Sequence, residues 1–289
     1  MDKFYRKGGV LLMVSFILAL AIAAAAYIYS IGSKATDHLS RNLAVSSSQE
    51  AIFPVSWGDL GRKMVEVGVI DAGKLNSIYA DRGGLDDYDK SLLADSAGGD
   101  LKINPQNAGF ILNIFWALGL SDKNPILENG PMVDSQYGGA GNFASTGGWT
   151  LAKGQAMDYY SRYPFININP DQQAVLERVA KNIYRPCCDN PVYFPDCNHG
   201  MAMLGFLELL ASRGASESQM YSAAAQLNDF WFPQNYQVVD AYLRQGGGSL
   251  ASLSPQEMLS ANYSSYSGYQ NILNSINSRP VQNSGSCGV

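Results

Sequence analysis

The apolar positions of the chain form two kinds of pattern: one continuous run near the N-terminus and a series of helical repeats after residue 50. The run Gly8–Ser33 contains no charged residue and is longer than the ~20 apolar residues that cross a bilayer as a helix. Basic residues precede it, and such a flank stays on the cytoplasmic side. The pattern predicts a single-pass anchor in the cell membrane over residues 1–33, with a cytoplasmic N-terminus and an extracytoplasmic C-terminal domain.

A cleaved signal peptide is the alternative interpretation of this run, because the segment Ala21–Ala26 is rich in small residues that suit a cleavage site. The run is longer than the usual core of a signal peptide, which favours an uncleaved anchor. Residues 34–50 are polar and predict a juxtamembrane stalk, in which His38 is a solvated linker residue. Both interpretations place residues 34–289 outside the cytoplasm.

Beyond the stalk, apolar residues recur every three or four positions, which is the period of an amphipathic helix. The segment 54–70 shows this spacing, and the segment 104–125 is apolar almost all round, which predicts a central core helix. A polar cap at the start of the segment 169–184 predicts a further helix. Strand candidates are limited to the short segments 165–169 and 192–194.

These patterns predict one mainly α domain of seven or eight helices over residues 51–280, followed by a flexible tail over residues 281–289. Two long loops interrupt the helices. The first, residues 129–154, is the glycine-rich loop, and long loops in compact domains are often functional. The second, residues 187–199, is the cysteine loop. We expect the glycine-rich loop to line a site beside the cysteine loop, with contacts from Asn142, Ser145, Thr146 and Trp149.

Composition and charge narrow the classes of partner. The chain has 289 residues, of which 46% are hydrophobic, enough for a substantial core. The formal net charge is −5, and because the first eight residues carry three basic side chains and one acidic, the remainder carries −7. An acidic exterior argues against nucleic acid as a partner. The expected partners are the membrane, through the N-terminal helix, and an envelope protein or wall component.

The cysteine loop holds three of the four cysteines and one of the two histidines within thirteen residues. An even number of cysteines in an exported chain suggests disulfides. A bond between adjacent Cys187 and Cys188 would be strained, because their Cα atoms are about 3.8 Å apart and disulfides prefer about 4.4–6.8 Å. A disulfide-stapled interaction domain would therefore pair one of these with Cys197 and the other with Cys287.

Metal binding is the leading hypothesis for the same residues. Thiolate and imidazole ligands suit a soft transition metal, copper(I) above all and zinc as the less selective alternative. The spacing matches no zinc-finger pattern, so the prediction depends on the density of ligands. The predicted ligands are Cys187, Cys188, Cys197 and His199, with Cys287 as an optional arm from the tail.

Thiol chemistry is the third hypothesis. A helix begins close to Cys197, with Asp196 or Asn198 as its expected cap, and a helix N-terminus lowers the pKa of a thiol. Cys287 would then be a resolving thiol in redox exchange, or His199 would be the base of a Cys–His hydrolase. A purely structural role for His199, which would cap the core with one ring nitrogen bonded to backbone, is the remaining alternative.

Overall fold

The computed structural model describes residues 50–94 and 98–277. The predicted anchor, nearly all of the predicted stalk and the tail with Cys287 lie outside the described residues. All described residues belong to one compact unit. Within that part of the chain, no helix is both long and apolar enough to cross a membrane.

The described part of the chain is mainly α, as the sequence predicts, with twelve helices. The helices are α1 (Leu60–Val67), α2 (Ala72–Ala80), α3 (Asp87–Leu93), α4 (Ala108–Ser121), α5 (Pro125–Asn129), α6 (Pro170–Ala180), α7 (Asn198–Ser212), α8 (Glu217–Trp231), α9 (Pro233–Gln245), α10 (Pro255–Met258), α11 (Ala261–Ser264) and α12 (Tyr266–Asn277). The number exceeds the seven or eight predicted because four helices have only four to seven residues. Such short helices show no clear apolar period in a sequence.

The β-structure differs from the prediction. Strand β1 (Ala51–Phe53) pairs antiparallel with β2 (Leu101–Ile103), with Phe53 opposite Leu101. Neither segment 165–169 nor segment 192–194, the two predicted strands, forms a strand. Three-residue strands are too short to show alternation, and their pairing joins segments about fifty residues apart in the sequence.

Several helix starts follow from the sequence. Asn169 and Gln172 form a reciprocal capping box at α6, and Ser216 and Gln219 form another at α8. Each box satisfies two backbone N–H groups that a helix start otherwise leaves unpaired. Helix α7 differs from the prediction, because Cys197 itself is the N-cap residue rather than either of its neighbours.

Two glycines let α4 and α7 approach closely at the centre of the domain. A Cβ atom on Gly119 would lie 2.0 Å from the carbonyl oxygen of Met201, and one on Gly205 would lie 2.7 Å from the nitrogen of Gly119. Only glycine fits at such a distance. Next to this crossing, the rings of Phe115 and Phe206 meet edge to face with centroids 5.2 Å apart. The crossing fixes α7, and with it the helix start at which the cysteine loop ends.

Candidate metal centre

Three cysteine sulfurs form a triangle at the start of α7. The Sγ atom of Cys197 lies 3.4 Å from that of Cys187 and 3.4 Å from that of Cys188, and the two adjacent cysteines are 3.6 Å apart at sulfur. No disulfide joins these three residues. Cys187 is exposed, whereas Cys188 and Cys197 are half-buried. The triangle therefore has one side open to solvent.

The backbone brings the adjacent pair to Cys197 through a tight turn. The N–H of Cys188 donates to the carbonyl of Arg185, and the carbonyl of Cys188 accepts from the N–H of Tyr266. Asp189 accepts two further hydrogen bonds from Ser267, both 2.8 Å. The first turn of α12 thus holds the turn in place beside α7.

Cys197 lies at the N-terminus of α7, where its sulfur accepts from the N–H of Gly200 at 3.3 Å. The unpaired N–H groups of a helix start and its dipole favour negative charge. A thiolate at this position is stabilised in the same way as a carboxylate cap.

Arg185 is the functional residue that the sequence does not reveal. Its side chain is only 1% exposed, and its Nε donates to the Cys197 sulfur at 3.2 Å. Its Nη2 donates to Asp196 Oδ1 at 2.7 Å, and its Nη1 donates to the Asn190 carbonyl at 2.6 Å. A buried guanidinium needs such partners. Arg185 therefore places a fixed positive charge directly behind one sulfur of the triangle.

The three thiols differ in their ionisation. Hydrogen bonds from Cys187 and Cys188, with the charge of Arg185, hold the pKa of Cys197 far below its usual range. Hydrogen bonding to Cys187 and Cys197 and burial raise the pKa of Cys188. The bond with Cys188 lowers the pKa of Cys187, but the bond with Cys197 and burial outweigh it and raise that pKa to about 12. Of the three sulfurs, Cys197 is thus the one whose surroundings favour the thiolate, and those of Cys187 and Cys188 favour the thiol.

His199 does not join the sulfur triangle. Its ring nitrogens are not among the ligand atoms that lie within 4.8 Å of one another in the cluster. Nδ1 is instead 2.9 Å from Asn198 Oδ1, and the ring contacts Phe232 and Trp231 with centroids 4.5 and 5.7 Å away. Burial lowers the pKa of His199 to about 4, so the ring is neutral at pH 7. The ring packs on the core as the structural alternative expects, but Nδ1 is paired with the Asn198 side chain rather than with backbone.

Of the five predicted ligands, the structure gathers three. Cys187, Cys188 and Cys197 lie together, His199 lies apart among aromatic rings, and Cys287 is outside the described residues. Within residues 50–94 and 98–277, no histidine, carboxylate or further cysteine completes a fourth position.

The glycine-rich loop lies against the cysteine loop, as expected. The N–H of Ser145 donates to the Asp196 carbonyl at 3.1 Å, and the rings of Tyr137 and Phe143 each lie 5.2 Å from the ring of Phe194. Of the four residues predicted to line a site, Asn142 donates within the loop, Trp149 donates to the Val69 carbonyl outside it, and the buried Ser145 hydroxyl has no hydrogen-bond partner among the described residues. Thr146 donates to backbone carbonyls within the loop. The glycine-rich loop thus supports the residue that anchors Arg185.

The dimensions of the triangle suit a thiolate-bound ion. Sulfurs 3.4, 3.4 and 3.6 Å apart are close enough for Cys187, Cys188 and Cys197 to hold one ion at metal–sulfur distances of about 2.3 Å. The described residues therefore fit a three-coordinate ion, or a four-coordinate ion with one ligand from elsewhere.

Comparison with known proteins finds no matching family model, no similar curated protein and no similar solved structure. The interpretation of the cluster therefore depends on its own geometry.

Proposed function

We propose that Cys187, Cys188 and Cys197 bind one soft transition-metal ion. The observation that carries the proposal is the triangle of sulfurs, each within 3.6 Å of the other two, with no disulfide among them. Three thiols that converge from a turn and a helix start form a ligand set for Cu(I) or zinc. Arg185 supports this role, because a positive charge beside the sulfur favours the thiolate that a metal requires.

The number of ligands favours Cu(I) over zinc in the proposal. Structural zinc is almost always four-coordinate, and the described residues supply three ligands. Soft Cu(I) is selected by thiolate sulfur itself. Zinc would need a fourth ligand, either water, Cys287 from the tail or a reoriented His199.

A Cys–His hydrolase finds less support in the same contacts. A general base must lie within hydrogen-bond reach of its nucleophile, and the His199 ring hydrogen-bonds to Asn198 and packs against aromatic residues. The geometry of this part of the chain therefore favours a ligand role for the cysteines.

The proposed setting follows from the N-terminal sequence. The uncharged run Gly8–Ser33 supports an anchor that holds the site on the extracytoplasmic side of the cell membrane, beside envelope proteins or wall components. Protease added to intact cells should then digest the domain, and complete protection would contradict this topology.

The direct test is native mass spectrometry of the full-length, reduced protein in detergent micelles, titrated with Cu(I) or Zn(II). We expect one ion per chain, lost on denaturation together with protection of the thiols from alkylation. Each of C187S, C188S and C197S should weaken binding by at least about 100-fold, because even losing a residue that only supports a ligand costs about 10–100-fold.

Two matched variants sharpen the result. H199Q and C287S should leave Cu(I) affinity unchanged if the three described sulfurs suffice, whereas a loss of zinc affinity in one of them would identify the fourth ligand. Full occupancy that survives C197S, or no ion bound by the reduced wild type, would contradict the proposal. If the thiols of the protein as isolated, before any reductant is added, alkylate only after reduction, the result would instead favour the disulfide-stapled domain.

A further inference from the structure

We propose a second activity for the same cluster: thiol–disulfide exchange, in which Cys187 and Cys197 reduce a low-molecular-weight disulfide and close a disulfide of their own. The two sulfurs are 3.4 Å apart, so a small side-chain rotation brings them to the bonding distance of about 2.05 Å. Only the inhibition of this exchange by a bound ion rests on the proposed function.

Exposure selects the thiol that reacts first. Among the three clustered cysteines only Cys187 is exposed, while Cys188 and Cys197 are half-buried. A small disulfide in solution therefore meets the Cys187 sulfur before the other two. The accessibility of the attacking thiol is one of the factors that set the rate of exchange.

Geometry selects the thiol that completes the reaction. Cys188 is adjacent in sequence, and a bond between neighbours is strained because their Cα atoms are too close. Cys197 comes from a different segment, ten residues along the chain, and its sulfur is in contact with that of Cys187. The N–H of Gly200 and the Nε of Arg185 hold the Cys197 sulfur in this position.

The reaction balances in two steps. The Cys187 thiol passes its proton to the Cys197 sulfur in contact with it, and the Cys187 sulfur attacks the disulfide RSSR, forms a mixed disulfide with one RS group and releases the other as the thiolate RS−. The Cys197 sulfur then attacks the Cys187 sulfur, displaces the second RS group as RSH, which takes the proton held by Cys197, and closes the Cys187–Cys197 bond. Two protein sulfurs are oxidised and one small disulfide is reduced to RSH and RS−, so the one proton and the one negative charge of the pair leave with the two products.

This exchange and metal binding exclude one another. The closed disulfide removes two of the three proposed ligands and leaves only Cys188. An ion bound to all three sulfurs would in turn occupy the lone pairs that attack the small disulfide. A zinc-loaded protein should therefore react more slowly than the metal-free protein, and zinc is the suitable probe because it has no redox chemistry of its own.

The test uses the reduced, metal-free, full-length protein in detergent micelles with glutathione disulfide, quenched with acid and mapped by peptide mass spectrometry. We expect a Cys187–Cys197 disulfide and about two glutathione molecules released per chain, as the balance requires. C197S should trap glutathione on Cys187, C188S should still close the disulfide, and C287S should behave as wild type. A map with Cys187 joined to Cys188 or Cys287, or no disulfide at all, would overturn the activity.

The zinc arm separates the two proposals. If zinc does not slow the exchange by at least tenfold while the Cys187–Cys197 disulfide still forms in the metal-free protein, the three sulfurs do not hold zinc, the Cu(I) titration decides the metal site, and the thiol activity stands. If zinc binds to the reduced protein but the metal-free protein forms no Cys187–Cys197 disulfide, the thiol activity is wrong and the metal site stands.

Discussion

Two buried ionisable groups of opposite character lie at helix α7, one beside its first turn and one within it. Arg185, beside its first turn, is 1% exposed and donates hydrogen bonds to a cysteine sulfur, a carboxylate and two backbone carbonyls. Glu208, in the middle of the helix, is 0% exposed, and neither of its carboxyl oxygens has a hydrogen-bond partner. One group keeps its charge through its partners, whereas the other must lose its charge to stay buried.

The pKa values express this difference. Burial, with the nearby charge of Asp122, raises the pKa of Glu208 well above its ordinary value. Burial also raises the pKa of Asp122 to about 7, against hydrogen bonds from backbone N–H groups that lower it. Burial therefore favours the neutral form of the Glu208 carboxyl over the charged form. Arg185 is thus a buried charge whose hydrogen bonds hold the cysteine cluster in place, whereas Glu208 is a buried acid with no such partners among the described residues.

Removal of the Arg185 side chain should give the largest loss of unfolding free energy. R185A leaves Asp196 and the Cys197 sulfur without their cation, and loss of one partner of a buried ion pair costs about 3–5 kcal/mol of unfolding free energy. R185K keeps the charge without the planar fork and should lose less. Urea denaturation of the reduced protein measures both. A loss under about 1 kcal/mol in R185A would show that the network at the site is not what stabilises the loop.

The substitution G200A tests how closely the Arg185 guanidinium packs against the first turn of α7. A Cβ at this position would lie 2.5 Å from Arg185 Nη2, and the guanidinium is fixed by several hydrogen bonds, so G200A should cost about 1–3 kcal/mol through overpacking. The matched control is G109A in α4, where nothing lies within 4 Å of the added atom. That variant should gain about 0.5–1 kcal/mol from helix propensity. Unfolding curves with equal midpoints for G200A and wild type would contradict the close fit.

Substitution of Glu208 should give the smallest change in unfolding free energy, and that change should depend on pH. A carboxyl whose folded pKa is raised adds stability below its unfolded pKa and loses it as the pH rises through the folded value. For Asp122 that window runs from its ordinary 3.8 to about 7, and for Glu208 it extends upward from 4.5. Gln cannot ionise, so E208Q should be within about 1 kcal/mol of wild type at pH 5 and lose less stability toward pH 8.

Unfolding free energies at several pH values check this expectation. The difference between E208Q and wild type isolates Glu208 from the titrating thiols. E217Q is the control, because Glu217 is exposed and paired with Arg178 at the surface, where ion pairs contribute about 0–1 kcal/mol. A pH profile of E208Q that parallels the wild type would show that Glu208 is already ionised in the fold.

The sequence predicts those parts of the fold that depend on local chemistry. The apolar character of α4 and the capping residues Asn169 and Ser216 are visible within a few residues of one another. The contact between Gly119 and Gly205 is not, because it joins glycines from helices far apart in the chain. The pairing of β1 with β2 is missed for the same reason.

At the candidate site, too, the sequence predicts the features that are local in the chain and misses those that depend on the fold. Three cysteines within eleven residues predict a cluster, since a short segment cannot place them far apart. The role of Arg185 depends on how Asp196 and the first turn of α7 fold back onto it, and an isolated arginine in a sequence carries no sign of that. His199 is close to Cys197 in sequence, but its ring is directed by aromatic residues of α8 and the turn after it.

The close crossing of α4 and α7 also bears on the order of folding. The 76 residues 122–197 lie between these helices, so the chain must close a long loop before the two glycines meet. Closing this loop costs conformational entropy before any stabilising contact between the helices forms, and such long-range contacts slow folding. The hydrogen bonds to the Cys197 sulfur, by contrast, come from Gly200 and Arg185, which lie three and twelve residues away in the chain. The site itself therefore closes over a much shorter loop than the crossing that supports its helix.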